Sequence, residues 1–178
     1  MKIVVLAGPE SSGKSTLAVQ LQRHFGGIVL GEYVREYIDT QQRDTHYGDI
    51  EIIAREQLAR EDAARAAKPP LLVLDTHLLS NMLWSHALFN DCPAWLEPEL
   101  LSREYHLHLL LAPEGVPWVA DGQRCQPELS QRQAFYHACE AWLSEHRQRW
   151  APLRGSWAQR EAAAIAAVAQ LWSADQRI

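Results

Sequence analysis

The chain has 178 residues, 47% of them hydrophobic and 22% charged, and a net charge of −5. That length fits one domain, 1–178, able to bury a core without disulfides or a structural metal. The acidic balance lacks the basic footprint that nucleic-acid binding requires, so a phosphorylated ligand must be held by a local site.

The N-terminal "KIVVLAG" is a short β-branched run closed by glycine, the pattern of a strand buried on both faces. Its apolar run, Ile3 to Ala7, is too short for a signal-peptide core. No run approaches the ~18 residues of a membrane span, so a soluble cytoplasmic protein with no membrane partner is expected. In "GKSTLAVQLQRHFG", Leu17, Leu21 and Phe25 lie four apart, which predicts a helix stopped at Gly26. A second strand is expected over Ile28 to Leu30, followed by a loop or short helix in "GEYVREYI". The spacing then predicts a helix from about Asp49 to Ala67. Its inner face would be Ile52, Ile53, Glu56, Ala59 and Ala63, and Pro69-Pro70 would stop it. The pairs Glu51/Arg55 and Glu61/Arg65 read as a solvated face.

"LLVLD" predicts a third strand over Leu71 to Leu74, and helices are expected at about 77–88 and 94–104. "HLHLLLAP" is a fourth strand closed by Pro113. "EGVPWVADGQRCQP" is an aperiodic loop, and "ELSQRQAFYHACEAWLSEHRQRW" is a long helix. A fifth strand is expected around Ala151 to Leu153, then an Ala-rich helix with Ser156 as its N-cap. Alternating strands and helices predict an α/β fold: a five-stranded parallel sheet with helices on both faces. Cys92, Cys125 and Cys139 are expected as free thiols in a reducing compartment. The eight histidines show no zinc spacing.

"GPESSGKST" fills G-x-x-x-x-G-K-[ST] with Gly8, Gly13, Lys14 and Ser15, between a strand and a helix. The glycines let successive N–H groups turn inward around a phosphate, and the helix N-terminus adds partial positive charge. Glu10, Ser11, Ser12 and Thr16 complete the loop. Lys14 would reach the terminal phosphates, and the Ser15 hydroxyl would ligate magnesium. ATP and Mg²⁺ are therefore the expected cofactors of a P-loop NTPase. Asp75, at the tip of "LLVLD", suits the magnesium acid of such folds; the alternative is a helix N-cap. "WVADGQR" suits a lid, with a turn at Asp121-Gly122 and Arg124 able to neutralise a moving phosphoryl group; the alternative is a solvated arginine. Trp118 would either stack on a substrate ring or anchor the base of the lid.

The blocks "GPESSGKSTL", "EYVREYI", "GDIEIIAREQ", "LLVLDTHLL", "YHLHLLL", "PWVADGQR" and "LRGSWAQRE" come in an order that resembles the nicotinamide riboside kinase domain of the NadR family. The resemblance runs from Lys2 to about Leu171. It implies ATP-dependent phosphorylation of the 5′-hydroxyl of nicotinamide riboside, giving nicotinamide mononucleotide in NAD salvage. It also implies that Glu32, Arg35 and Glu36 border the acceptor, that Trp118, Asp121 and Arg124 belong to the lid, and that the Gly155–Trp157 segment, with Trp157, lies near adenine. Two positions depart from the family pattern: His77 replaces the second acid of D-T-D, and His106 stands where an acid is usual. His77 is expected beside the acceptor ribose, where an imidazole accepts a hydrogen bond but supplies no permanent negative charge. Two other readings stay open: a slow ATP-hydrolysing switch that phosphorylates no metabolite, and a kinase for another nucleoside or small metabolite.

Overall fold

The computed structural model describes residues 1–173. Five strands form one parallel sheet in the order β2-β3-β1-β4-β5. They are β1 (Lys2–Ala7), β2 (Ile28–Leu30), β3 (Leu71–Asp75), β4 (Leu107–Leu111) and β5 (Trp150–Leu153). The helices are α1 (Lys14–Phe25), α2 (Tyr33–Gln41), α3 (Tyr47–Ala66), α4 (Leu78–Phe89), α5 (Leu96–Ser102), α6 (Leu129–Glu145) and α7 (Trp157–Ser173). Among the described residues, no helix is long and apolar enough to cross a membrane.

The three central strands are buried on both sides because alternate residues enter two different cores. Val4, Leu6, Leu71, Val73, Leu107 and Leu109 pack with Leu17 and Leu21 of α1 and Val168 of α7. Ile3, Val5, Leu72, Leu74 and Leu110 pack on the opposite face with α3, α4, α5 and α6. Continuous apolar runs are what a parallel sheet covered on both faces demands. Truncating a fully buried leucine here, such as Leu74, costs about 2–5 kcal/mol.

The expected strands and the α1 stripe are present. The inner face of α3 differs from expectation. Ile50, Ile53, Ala54, Gln57, Leu58 and Glu61 are buried, whereas Ile52 is half exposed. Glu61 therefore leaves the solvated face assigned to it. It is 1% exposed and accepts from Arg65 Nε at 2.8 Å, Arg103 at 3.3 Å and the Tyr105 hydroxyl at 3.2 Å. Glu51 and Arg55 do pair at the surface. The long helix α6 ends at Glu145, before the expected point. Arg147 takes φ 51° there, and the turn frees Trp150 to pair with His108 in the sheet. Ser156 caps α7 reciprocally: its N–H donates to Gln159 Oε1 at 2.8 Å, and its hydroxyl accepts from the Gln159 N–H. The three cysteines are free.

This topology opens a crevice at the carboxyl ends of β3, β1 and β4, because the connection from β1 runs towards β2 while those from its two neighbours run the opposite way. The phosphate loop and Asp75 both lie on that edge.

Candidate active site

The loop between β1 and α1 needs its glycines for distinct reasons. Gly8 sits at φ 127°, and a Cβ there would meet the Leu111 carbonyl oxygen at 2.5 Å. Gly13, at φ 90°, would bring a Cβ to 2.6 Å from the Trp157 ring. Both positions combine a left-handed backbone with close packing, which excludes other residues. Trp157 thus packs on the loop itself. Lys14 is nearly buried and arches back, donating to the Gly8 and Pro9 carbonyl oxygens at 3.1 and 2.8 Å. The Ser12 hydroxyl donates to Pro9 at 2.8 Å. Ser15 and Thr16, in the first turn of α1, line the cleft.

Asp75 pairs in register with Leu6, one strand away from the loop. It is 4% exposed, and its Oδ1 has no hydrogen-bond partner among the described residues. The Ser15 hydroxyl acts on this carboxylate to favour its charged form. Burial pushes the Asp75 carboxyl above the usual carboxylate range, and nearby Glu32 adds to that, against the pull of Lys14 and Arg35. A buried carboxylate with an orphan oxygen, beside a hydroxyl, fits a hard divalent cation that takes oxygen ligands. No three His, Cys, Asp or Glu side chains gather into a metal cage among the described residues. Such a cation would complete its shell with phosphate and water.

The chain leaves Asp75 through Thr76 at φ 75°, a left-handed conformation that strains a β-branched residue. The Thr76 N–H donates to the Leu6 carbonyl at 3.3 Å. This twist turns His77 away from the cleft. His77 is 1% exposed, with its Nε2 3.3 Å from His108 Nε2 and its ring edge-on to Tyr105. Its expected place beside an acceptor is therefore corrected: the strand's alternation stops at Asp75, Thr76 stays at the cleft, and His77 enters the core. Burial, then the neighbouring His108, holds the His77 imidazole well below its ordinary range. His106 is also remote from the crevice, since its Nδ1 accepts the Ile3 N–H at the opposite end of the sheet.

Residues 117–126 fold over the phosphate loop. Glu10 Oε1 accepts from Trp118 Nε1 and the Gln126 N–H, both at 2.7 Å, and Oε2 accepts from the Cys125 N–H at 3.1 Å. The Ser11 hydroxyl accepts from the Val119 N–H and donates to the Pro117 carbonyl, both at 3.1 Å. Trp118 is thus an anchor at the lid base. Asp121 pairs with Arg35 at 2.8 Å and with Arg124 at 3.1 Å, and Arg35 also holds Glu32 at 3.0 Å. The Arg35 guanidinium and the Gln123 and Arg124 N–H groups hold the Asp121 carboxyl low, at about 2, against burial. Arg124, Glu32 and Arg35 line the cleft. Glu36 does not: it faces outward in a two-pronged pair with Arg60 at 2.7 and 2.8 Å.

The cleft between loop, lid, α2, α3 and α4 holds about 490 Å³. Its far end is apolar, formed by Ile38, Ile53, Trp84, Leu88 and Phe89, with Tyr33 and Asn81 beside them. Neither Asn81 nor Trp84 was singled out from the sequence. The signal was present: Asn81, Trp84 and Leu88 follow helical spacing, offset from the buried Leu78, Leu79 and Met82. A helix apolar on two faces has a second surface to cover.

The family model described as AAA domain matches residues 3–160. The trifunctional NAD biosynthesis/regulator protein NadR of Salmonella typhimurium is 27% identical over 151 residues, and that of Escherichia coli is 26% identical. Each alignment covers 82% of this chain but 36% of the relative, so the chain spans about a third of their length. Among solved structures, NadR in complex with NR superposes at TM-score 0.76 with 23% identity, covering 96% of this chain and 51% of that one. NadR with NAD and AMP-PNP gives 0.74 at 20% identity, covering 96% and 49%. Thymidylate kinase from Ehrlichia chaffeensis gives 0.65 at 12% identity, covering 94% and 98%. At those identities the superpositions speak for the fold, a P-loop α/β sheet shared with these proteins. With most of its length matched by one family model, the chain belongs to the AAA domain family.

Proposed function

We propose that this chain transfers the γ-phosphoryl group of Mg-ATP to the 5′-hydroxyl of a nucleoside, with nicotinamide riboside as the acceptor and nicotinamide mononucleotide as the product. The observation that carries the reading is the cleft's polarity: a phosphate loop and an orphan carboxylate oxygen at one end, an aromatic apolar chamber at the other. The NadR relatives supply the acceptor's identity, since one of their structures holds NR and another holds AMP-PNP.

In this reading the loop N–H groups and the α1 N-terminus bind the phosphates, and Lys14 turns from its carbonyl partners to the γ-phosphoryl oxygens. Asp75 and Ser15 would hold the magnesium ion, which would supply positive charge against the transferring group. Asp75 also accepts the acceptor's hydroxyl proton as the new O–P bond forms and the bond to the departing ADP oxygen breaks. Arg124 offsets charge on the moving phosphoryl group, while the lid excludes water. Glu32 and Arg35 border the ribose, and Trp84 with Phe89 receive the base ring. The three free cysteines support a reducing, cytoplasmic setting.

The experiment is ATP turnover with and without nicotinamide riboside, with the product identified by mass. Strong stimulation and a mononucleotide product support the kinase. Turnover indifferent to every nucleoside tested overturns it in favour of a switch ATPase.

A further inference from the structure

Glu10 occupies a position of the phosphate loop where the motif makes no chemical demand. A carboxylate in an anion-binding loop opposes the incoming phosphates unless its charge is directed elsewhere. Here it is directed into the lid. Oε1 takes two donors, the Trp118 indole and the Gln126 N–H, and Oε2 takes the Cys125 N–H. The donors flank both sides of the turn that carries Asp121 and Arg124, so one side chain grips both arms of the lid at its base. Ser11, next in the loop, adds a donor and an acceptor to the same arm at Pro117 and Val119. The lid's outer contacts, Asp121 to Arg35 and Gln123 to Asp39, tie its tip to α2.

We propose that Glu10 is a positioning residue: a latch between phosphate loop and lid that sets where Arg124 stands over the transferring phosphoryl group. This rests on the kinase reading for its catalytic consequence but not for the latch itself. With Glu10 in place, loop geometry and lid closure are one state. Without it, the arms of the lid part at the base, and Arg124 leaves the cleft although α2 still holds the tip.

The test uses Glu10→Ala and Glu10→Gln, read by amide hydrogen exchange at Cys125 and Gln126 and by steady-state kinetics. In Glu10→Ala both amides exchange faster by about tenfold or more. Its kcat for transfer falls about 100-fold, the usual cost of a misplaced catalytic group, with little change in KM for the acceptor. Glu10→Gln keeps the Oε1 acceptor. It restores protection at Gln126 and most of kcat, while Cys125, now facing an amide nitrogen, stays fast. Wild-type exchange at both amides in Glu10→Ala overturns the latch. Fast exchange with wild-type kcat overturns its positioning role. The exchange arm is read on the protein alone, so a wild-type enzyme that phosphorylates no nucleoside sinks the proposed function and leaves the latch to be judged separately.

Discussion

Asp75 at the tip of β3 and the α3 carboxylates Asp49 and Glu61 are all nearly buried, and their surroundings differ in kind. Glu61 is held by two arginines and a tyrosine hydroxyl, and Asp49 by Arg43, the Tyr37 hydroxyl and the His46 N–H. Asp75 has a serine on one side and an unpartnered oxygen on the other. A buried charge whose acceptors are filled fixes neighbouring elements; one left unfilled stores an electrostatic cost that only a ligand relieves. The α3 pairs join that helix to the α2–α3 turn and to the segment before β4. The β3 tip holds its carboxylate ready at the cleft.

Substitution should separate the two classes. Lys14→Ala and Asp75→Asn should each lower phosphoryl transfer by about 10²–10⁴-fold, the range for lost transition-state stabilisation and acid–base groups. Asp75→Asn should keep or raise the melting temperature, because it removes an uncompensated buried charge. Glu61→Gln should do the reverse. It should cost about 3 kcal/mol of unfolding free energy in a denaturant titration, since Arg65 and Arg103 lose their common partner, with KM for ATP unchanged. An Asp75→Asn protein that unfolds while Glu61→Gln melts normally would break the comparison.

Acid sharpens it. Asp75 has a raised folded pKa, so the native state binds the proton first; its ionisation costs stability as pH rises through that window, and transfer fails once it is protonated. The acid limb of kcat/KM should therefore lie above the ordinary aspartate value of about 3.9, and added magnesium should move it down. Asp49 has a depressed folded pKa, set first by Arg43. Its contribution is complete above the unfolded value and is lost as pH falls through the folded one. The neutral imidazoles behave like Asp49 in sign, in a higher window. Burial lowers His108 to about 4, so stability is full above about 6.5 and declines from there towards pH 4. That decline is on the order of 3 kcal/mol, and His108→Gln should flatten it in melts taken across the range. The smallest effect belongs to neither class: Ser156→Ala should cost about 1 kcal/mol, through loss of the α7 capping box.

How far the sequence carried depends on which parts of the chain meet. β1, the phosphate loop, α1 and Asp75 were legible because each is specified by contiguous residues: an apolar run, glycines at fixed offsets, a strand ending in an acid. His77 was placed beside the acceptor on the family's D-T-D pattern, and the left-handed residue before it, Thr76, turns it into the core instead. Glu61 and Arg65 look like a surface pair along one helix. The residues that bury them, Arg103 and Tyr105, arrive from far along the chain. Glu36 shares the "EYVREY" block with the cleft-lining Glu32 and Arg35, but the helical turn of α2 points it outward to Arg60. Trp118 left two roles open, and only its distance to Glu10 chooses the anchor. The far end of the cleft is assembled from α2, α3 and α4 together, so no single segment announces it.

The central claim is that this cleft moves a phosphoryl group from ATP to a nucleoside hydroxyl. Its most direct test is a mass measurement of nicotinamide riboside incubated with ATP, magnesium and either the wild-type chain or Asp75→Asn. The account predicts a mononucleotide with the wild type and next to none with Asp75→Asn at equal folded protein. A wild-type reaction that consumes ATP and leaves the nucleoside unchanged, or an Asp75→Asn reaction equal to the wild type, would contradict it.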